Sequence, residues 1–263
     1  MRMVLVLLCL EGAFAFAQIG SSGSYNPGPQ LQWTLGAHRS QPTLTATAAG
    51  SRNGLSSLVD TDADLGLQRT GTSYGGLVEY SGQTHGFRLA YDGFRQEGER
   101  VMGRDVYLDG TPYAAGTALR SKAKVTVLEG IYTYKFVQRS DAWLGLDLGA
   151  QYLKADLSAE VLSATPTTQT ASPTLPVPQV GISGWSSGAD GLLESRVYYH
   201  YFTHRGATSH RYGLDARAYL YPSFGLRAFY DVCKIKIPAG STEGDLDFQL
   251  DSKMTGVGLV IRF

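Results

Sequence analysis

The chain ends Met254-Thr255-Gly256-Val257-Gly258-Leu259-Val260-Ile261-Arg262-Phe263. Thr255, Val257, Leu259, Ile261 and Phe263 fall on one face. Met254, Gly256, Gly258 and Arg262 fall on the other, with Val260 the exception. Alternation sustained over about ten residues, with one apolar face, is the pattern of a strand in a transmembrane β-barrel. A soluble strand that merely ends the chain would also alternate, so the remaining sequence has to decide.

The other end argues for export. Arg2 supplies a positive start, Val4 to Leu10 form a short apolar core, and Ala15-Phe16-Ala17 has the small-x-small form of a signal-peptidase site. Cleavage is expected after Ala17, making residues 1–17 a signal peptide. Glu11 is out of place so close to the apolar core and leaves the exact site open. A lipidated Cys9 is rejected, because Leu8 precedes it where a small residue is needed. Residues 18–30, with Gly20, Gly23, Pro27 and Pro29, read as a flexible leader, and residues 31–263 as one barrel domain. After cleavage Cys233 is the one cysteine left, so no internal disulfide forms. Lysine plus arginine and aspartate plus glutamate are equal at 23 each, which gives no reason to expect a nucleic-acid partner. The longest uncharged stretch, Val161 to Ala189, is rich in Thr, Ser and Pro and cannot be a membrane helix.

The terminal pattern recurs upstream. Phe224 to Val232, Tyr212 to Leu220, Leu144 to Tyr152 and Phe87 to Tyr91 all alternate, and Val59 to Leu67 does so with Asp60, Asp62 and Asp64 between its apolar positions. Short links are expected at Ser81–His85, Val137–Asp141, Ser186–Asp190 and Pro222. Long ones are expected over about Arg95–Ser121, Leu157–Thr174, Phe202–Arg211 and Pro238–Leu246. Short periplasmic turns against long external loops are the asymmetry of outer-membrane barrels. Tyr80, Phe87, Tyr134, Phe136, Tyr221, Phe224 and Phe263 then gather at the periplasmic ends, where an aromatic girdle belongs. About ten strands lie between Leu55 and Phe263. Leu31–Arg39 and Thr43–Ala49 add two if Pro42 separates them, for an antiparallel up-and-down barrel of about 12 strands, with 10 as the alternative.

Asp62-Ala63-Asp64-Leu65-Gly66-Leu67, Gly76-Leu77-Val78-Glu79-Tyr80 and His85-Gly86-Phe87-Arg88-Leu89-Ala90-Tyr91 resemble a broad group of Gram-negative outer-membrane β-barrel proteins, most without an assigned biochemical role. The hairpin around Leu108-Asp109-Gly110-Thr111 and the closing strand fit the same group. The resemblance implies residence in the outer membrane among its lipids. It also implies delivery by periplasmic chaperones and Phe263 as a signal to the barrel-assembly machinery. It covers most of the mature chain and carries no activity. A monomer is expected, and no cofactor or metal.

With the apolar faces toward lipid, the lumen is expected to hold Asp60, Asp62, Asp64, Glu79, Asp92, Glu129, Asp147, Asp215 and Asp231, together with Arg88, Lys135, Arg196, Arg217, Arg227 and Arg262; Cys233 falls on the same side. These charges either pair into a solid polar core, since unpaired charges away from water are costly, or line a small water-filled channel. Barrels near eight strands are filled and those near sixteen are open, so this size leaves both readings standing, with the paired core preferred.

Candidate chemistry is sparse. Ser209 with His200, His204 or His210 could form a nucleophile–base pair for lipid ester hydrolysis, with Asp215 as orienter, if side chains come within hydrogen-bond reach. The plainer reading places His204 and His210 in an external loop beside Arg205 and Arg211. His200 and His204 as a metal pair would stand roughly 13 Å apart on an extended strand, too far for one ion. Asn26 and Asn53 are the only asparagines, and no phosphate loop, paired-cysteine site or helical metal motif is present. The hairpin from Arg95 to Ser121, carrying Tyr107, Leu108 and Tyr113, is expected to project and could serve recognition or adhesion. The function expected is therefore a passive small channel or structural barrel, with a lipid-modifying hydrolase and a surface-binding role as alternatives.

Overall fold

The computed structural model describes residues 32–263 apart from 53–54, 109–110, 164–166, 173, 189–190 and 240–246. The expected signal peptide and leader lie outside these residues. The elements are β1 (Gln32–Arg52), β2 (Leu55–Asp60), β3 (Ser73–Ser81), β4 (His85–Val101), β5 (Val106–Leu108), β6 (Thr111–Tyr113), β7 (Ala118–Gln138), β8 (Ala142–Val161), β9 (Thr168–Ala171), β10 (Thr174–Gly188), β11 (Leu193–His204), β12 (Ala207–Tyr221), β13 (Phe224–Ile237) and β14 (Asp247–Arg262).

One antiparallel sheet holds twelve of these strands, and β5 with β6 makes a separate two-stranded ribbon. β8 pairs with β10 and β14 with β1, so the sheet closes on itself. The expected twelve strands are those of the sheet. Ten of them form the closed ring, while β2 and β9 are short additions to β1 and β8 at the loop end. Closure satisfies the backbone without an exposed edge, as a bilayer requires. The termini meet at the seam, where Trp33 and Phe263 exchange two backbone hydrogen bonds of 2.9 and 3.0 Å.

Alternation becomes two faces. On β14, Val257, Leu259 and Ile261 point outward and are exposed. Val260, the exception in the sequence pattern, points inward and is fully buried. Register carries the periplasmic girdle from strand to strand, Trp33 opposite Tyr80, Tyr80 opposite Phe87 and Phe87 opposite Tyr132. A second outward row runs through Tyr91, Leu128 and Tyr152 on one flank. β1 and β7, at 21 residues each, are about twice the length needed to span a bilayer, so the loop end stands above the membrane.

Four expectations change. Pro42 does not divide β1, which runs unbroken through it. The Trp33–Phe263 pair shows that odd residues of β1 bond to β14, so Pro42 turns its missing N–H toward β3, which begins only opposite Ser40; the Pro42 carbonyl accepts from Gly71 N–H instead. Asp60, Asp62 and Asp64 are not on one strand. The Asp60 carboxylate accepts from the backbone N–H of Asp62 at 2.8 Å and of Ala63 at 2.7 Å, winding residues 61–65 into a turn. Such local side-chain bonds compete with a ladder and here defeat it. The long loop expected over Phe202–Arg211 is a two-residue hairpin at Arg205 and Gly206, both with positive φ, 48° and 85°. The Arg95–Ser121 hairpin folds back instead of projecting freely. Val106 and Tyr113 are buried with Met102 and Leu119, against Val59 and Val161.

The segment between β2 and β3 fills the wall where β3 is too short to reach. Leu44 N–H bonds to the Arg69 carbonyl at 2.8 Å, and Gln96 donates to the Gln68 carbonyl at 2.6 Å. Gly98 permits this approach, because a Cβ there would overlap the Gly66 carbonyl.

Candidate functional site: the barrel interior and its outer cap

The inward positions of β3, β4, β7, β8 and β11 to β14 deliver charge to a common interior. Seven acids, Glu79, Asp92, Glu129, Asp147, Glu194, Asp215 and Asp231, meet seven bases, Arg88, Lys135, Arg196, Arg211, Arg217, Arg227 and Arg262. Arg217 stands 2.5 Å from Glu79 and 3.2 Å from Asp215. Arg227 meets Asp215 at 2.8 Å, and Arg88 meets Glu79 at 3.1 Å and both Glu129 and Asp215 at 3.6 Å. Arg211 bridges Glu129 and Asp231, and the Tyr198 hydroxyl also donates to Asp231. Nearer the termini, Arg262 pairs with Glu194 at 2.8 Å. Lys135 donates to the Ser81 hydroxyl and the Gly82 carbonyl and lies 5.0 Å from the Trp143 ring centre.

Two histidines belong to this network. His38 lies 2.8 Å from Asp92 through Nε2, and Arg227 donates to its Nδ1 at 3.0 Å. An Nδ1 that accepts puts the ring hydrogen on Nε2, where Asp92 receives it. Gly75 leaves the room, since a Cβ there would stand 2.5 Å from His38 Nε2 and 2.6 Å from Asp92 Oδ1. His200 reaches Asp147 at 2.9 Å, and Asp147 also accepts from Thr133 at 2.6 Å and Ser183 at 2.9 Å. Among His38, Arg88, Tyr198 and Arg227 lies a cavity of about 10 Å³, room for one water molecule.

Above the charges the interior changes character. Gln151 and Gln179 bond at 3.1 Å, with the Cys233 thiol 3.7 Å from the Gln151 oxygen. Beyond them Leu44, Phe94, Val125, Leu153, Val177, Ile235, Ile237 and Leu250 pack into one apolar cluster across the barrel. The cap follows. Asp62 pairs with Arg69 at 2.7 Å, and Asp64 pairs with Arg104 at 2.6 Å. Burial pushes the Asp64 carboxyl up, but hydrogen bonds from Arg104 and the Asp60 backbone and the charges of Arg104 and Arg100 hold it below its ordinary value.

Of the fifteen residues expected in the lumen, Glu79, Arg88, Asp92, Glu129, Lys135, Asp147, Arg196, Asp215, Arg217, Arg227, Asp231 and Arg262 meet there. Asp60, Asp62 and Asp64 belong to the cap. Arg211, expected in a loop, is an inward residue of β12, and Glu194, His38 and His200 complete the network. Strict parity from Asp215 and Arg217 back along β12 points to Arg211. The alternation of Trp33, Leu35 and Ala37 with Thr34, Gly36 and His38 marks His38 as inward in the same way.

The hydrolase candidates separate. Ser209 and Arg211 are buried on the inward face of β12, so His210 points outward, where it meets Tyr199 at 3.1 Å. Ser209 sits opposite Phe202, diagonal to both His200 and His204, a separation of about 7–8 Å on a sheet. His200 is committed to Asp147, while His204 is exposed at the rim beside Phe202.

No family model and no curated protein matches the chain. Solved structures do match. The outer membrane protease OmpT of Escherichia coli superposes with a TM-score of 0.54 at 10% identity, covering 90% of this chain and 100% of that one. The translocator domain of the autotransporter NalP from Neisseria meningitidis gives 0.40 at 10% identity, covering 98% and 95%. Ail, the attachment invasion locus protein of Yersinia pestis, gives 0.39 at 13%, covering 89% and 99%. Ring closure, apolar exterior and the OmpT superposition agree: the fold is that of a Gram-negative outer-membrane β-barrel.

Proposed function

We propose that this chain is a sealed structural barrel of the outer membrane, whose working surface is its exterior and cap and not its lumen. One observation carries the reading: a balanced ion-pair core is followed along the same axis by an apolar layer. Such a layer strips the hydration of any ion entering it, at a cost of several kcal/mol or more. Most of the charged residues that might have lined a channel are consumed by one another, Lys135 is held by Ser81 and Gly82 and Asp92 by His38, and Asp60, Asp62 and Asp64 stand on the cap. Likeness to an outer membrane protease is a likeness of fold and brings no activity to this chain. Ser209 and the three histidines, distributed over opposite faces and diagonal positions, give a hydrolase reading no assembled pair.

The test is single-channel recording on the mature chain, residues 18–263, refolded into a planar bilayer, with heat-modifiable gel migration as the check of folding. A folded, inserted and silent barrel is expected. Stable current steps would overturn the sealed reading and restore the channel.

The cap supports a second reading, as a recognition surface. Its two small apolar clusters, Met102 with Val106, Tyr113 and Leu119, and Leu65 with Leu67 and Ala123, hold it as a packed unit rather than a set of loose loops. Deleting residues 103–116 should leave folding intact and abolish any host-surface or matrix binding that the full protein shows.

A further inference from the structure

The outward faces of the strands gather their basic residues at the loop end, with Arg39 of β1, level with Val257, as the exception. Toward the termini the outward strand positions are mainly aromatic or aliphatic; Lys135 and Arg262 turn inward to Ser81 and Glu194, and Arg139 is exposed in the link between β7 and β8. Beyond the outer tyrosines the outward side chains become cationic. β13 and β14 carry Lys234, Lys236 and Lys253, all exposed. Lys253 lies opposite Val232, whose other neighbour is Tyr212, while Lys234 lies between His210 and Asp251, and Lys236 between Thr208 and Gln249. Three ammonium groups therefore occupy consecutive rungs of two neighbouring strands. Among the described residues, the acid set among them is Asp251, 3.2 Å from Lys234. The basic group on the other flank is better compensated: Arg120 pairs with Glu99 at 2.7 Å, and Lys154 with Asp156 at 3.2 Å.

We propose that the β13–β14 face binds the phosphorylated headgroup of an outer-leaflet lipid. The proposal rests on the reading of the chain as an outer-membrane barrel with its loop end outward. The acyl chains lie along the apolar wall below, over Val257 and Tyr230, and the phosphates reach the lysines at the rim. Lysine suits this role, a flexible stem running over apolar surface with a compact charge at its tip. Tyr212 and Tyr230 stand at the junction, with apolar rings and polar ends. The terminal rim carries Arg139 in the link after β7, whereas the loop-end rim crowds three lysines onto consecutive rungs, a density that an interfacial anchor does not need.

Full-length mature protein, refolded in neutral detergent, is incubated with a bisphosphorylated glycolipid or its dephosphorylated form, and retained lipid is counted by native mass spectrometry. The wild type is expected to retain the phosphorylated form about fivefold more. Lys234→Gln/Lys236→Gln/Lys253→Gln loses that preference, and Lys122→Gln/Lys124→Gln/Lys154→Gln keeps it. Equal retention of both lipids, or an unchanged preference in the first variant, overturns the proposal. So does displacement of the lipid by millimolar inorganic phosphate, which would mark a free-anion site. Should the first variant not fold, salt decides on the wild type: a preference unaltered at about 1 M salt also overturns it. A barrel that conducts ions yet keeps the lipid preference sinks the sealed reading and leaves this one standing.

Discussion

Asp215 shows what a single interior residue holds together. It is 1% exposed and lies within 3.6 Å of Arg88, Arg217 and Arg227. Replacing it with alanine leaves the buried Arg227 without a carboxylate and takes one of several from Arg88 and Arg217, which keep Glu79; loss of one partner from a buried pair costs about 3–5 kcal/mol. Asp215→Ala is therefore expected to lower the urea midpoint of the detergent-folded barrel sharply, and Asp215→Asn, which keeps hydrogen-bond acceptance, to lower it less. A midpoint unchanged in the alanine variant would show that the network does not stabilise the barrel. Asp64 behaves differently, because its partner Arg104 is half exposed. Its folded carboxyl titrates below the ordinary value near 4. The stability from this pair is present above that value and is lost as the pH falls through the folded one. The amount is about 0.5–1 kcal/mol at most for so exposed a partner. Limited proteolysis should nick the cap a few-fold faster once the pH is below the folded value than at pH 7, with the ring intact at both; Asp64→Asn should remove the difference.

Among the elements, the segment between β2 and β3 depends on a glycine of its neighbour. Gly98→Val places two methyl groups and a Cβ into the Gly66 carbonyl, so the segment must lift from β4. Overpacking of this kind costs about 1–3 kcal/mol, and the expected readout is faster hydrogen exchange at Leu44, which donates to Arg69 across that seam. Protection unchanged in the valine variant would mean the segment is not held by this approach. The other seam, β1 with β14, ends on the mutual backbone pair of Trp33 and Phe263. Deleting Phe263 removes both bonds and the side chain expected to be read by the assembly machinery. Folding in detergent should be nearly unaffected, while insertion into the outer membrane of cells falls several-fold. Normal insertion of the truncated chain would remove Phe263 as an assembly signal.

At the scale of the molecule, the interior is layered: ion pairs toward the termini, an amide layer, then an apolar layer below the cap. The expected silence in a bilayer comes from that order. Leu153→Ala with Phe94→Ala would open the apolar layer at a cost of about 2–5 kcal/mol for each truncation. The pair should conduct only if the charged layer beneath also admits water. Charge reversal at Asp60, Asp62 and Asp64 should leave any residual conductance and its selectivity unchanged, because all three lie on the cap.

What the amino-acid sequence determined by itself was periodicity. Period-two alternation with an apolar outer face and a terminal aromatic fixed the β-barrel, its closing strand, its girdle and twelve of the interior charges, since parity alone assigns a side chain to one face of a strand. Only the tertiary structure decided the rest. Asp60, Asp62 and Asp64 alternate as well as any strand, yet carboxylate bonds to neighbouring N–H groups end the ladder with β1 at Thr61. Arg205-Gly206 carries no proline or asparagine, and it was strand pairing on both sides that drew it into a two-residue turn. His38 and His200 look alike in sequence to His204 and His210. Their roles come from residues 54 and 53 positions away, Asp92 and Asp147, and closing a ring is what brings such distant residues face to face.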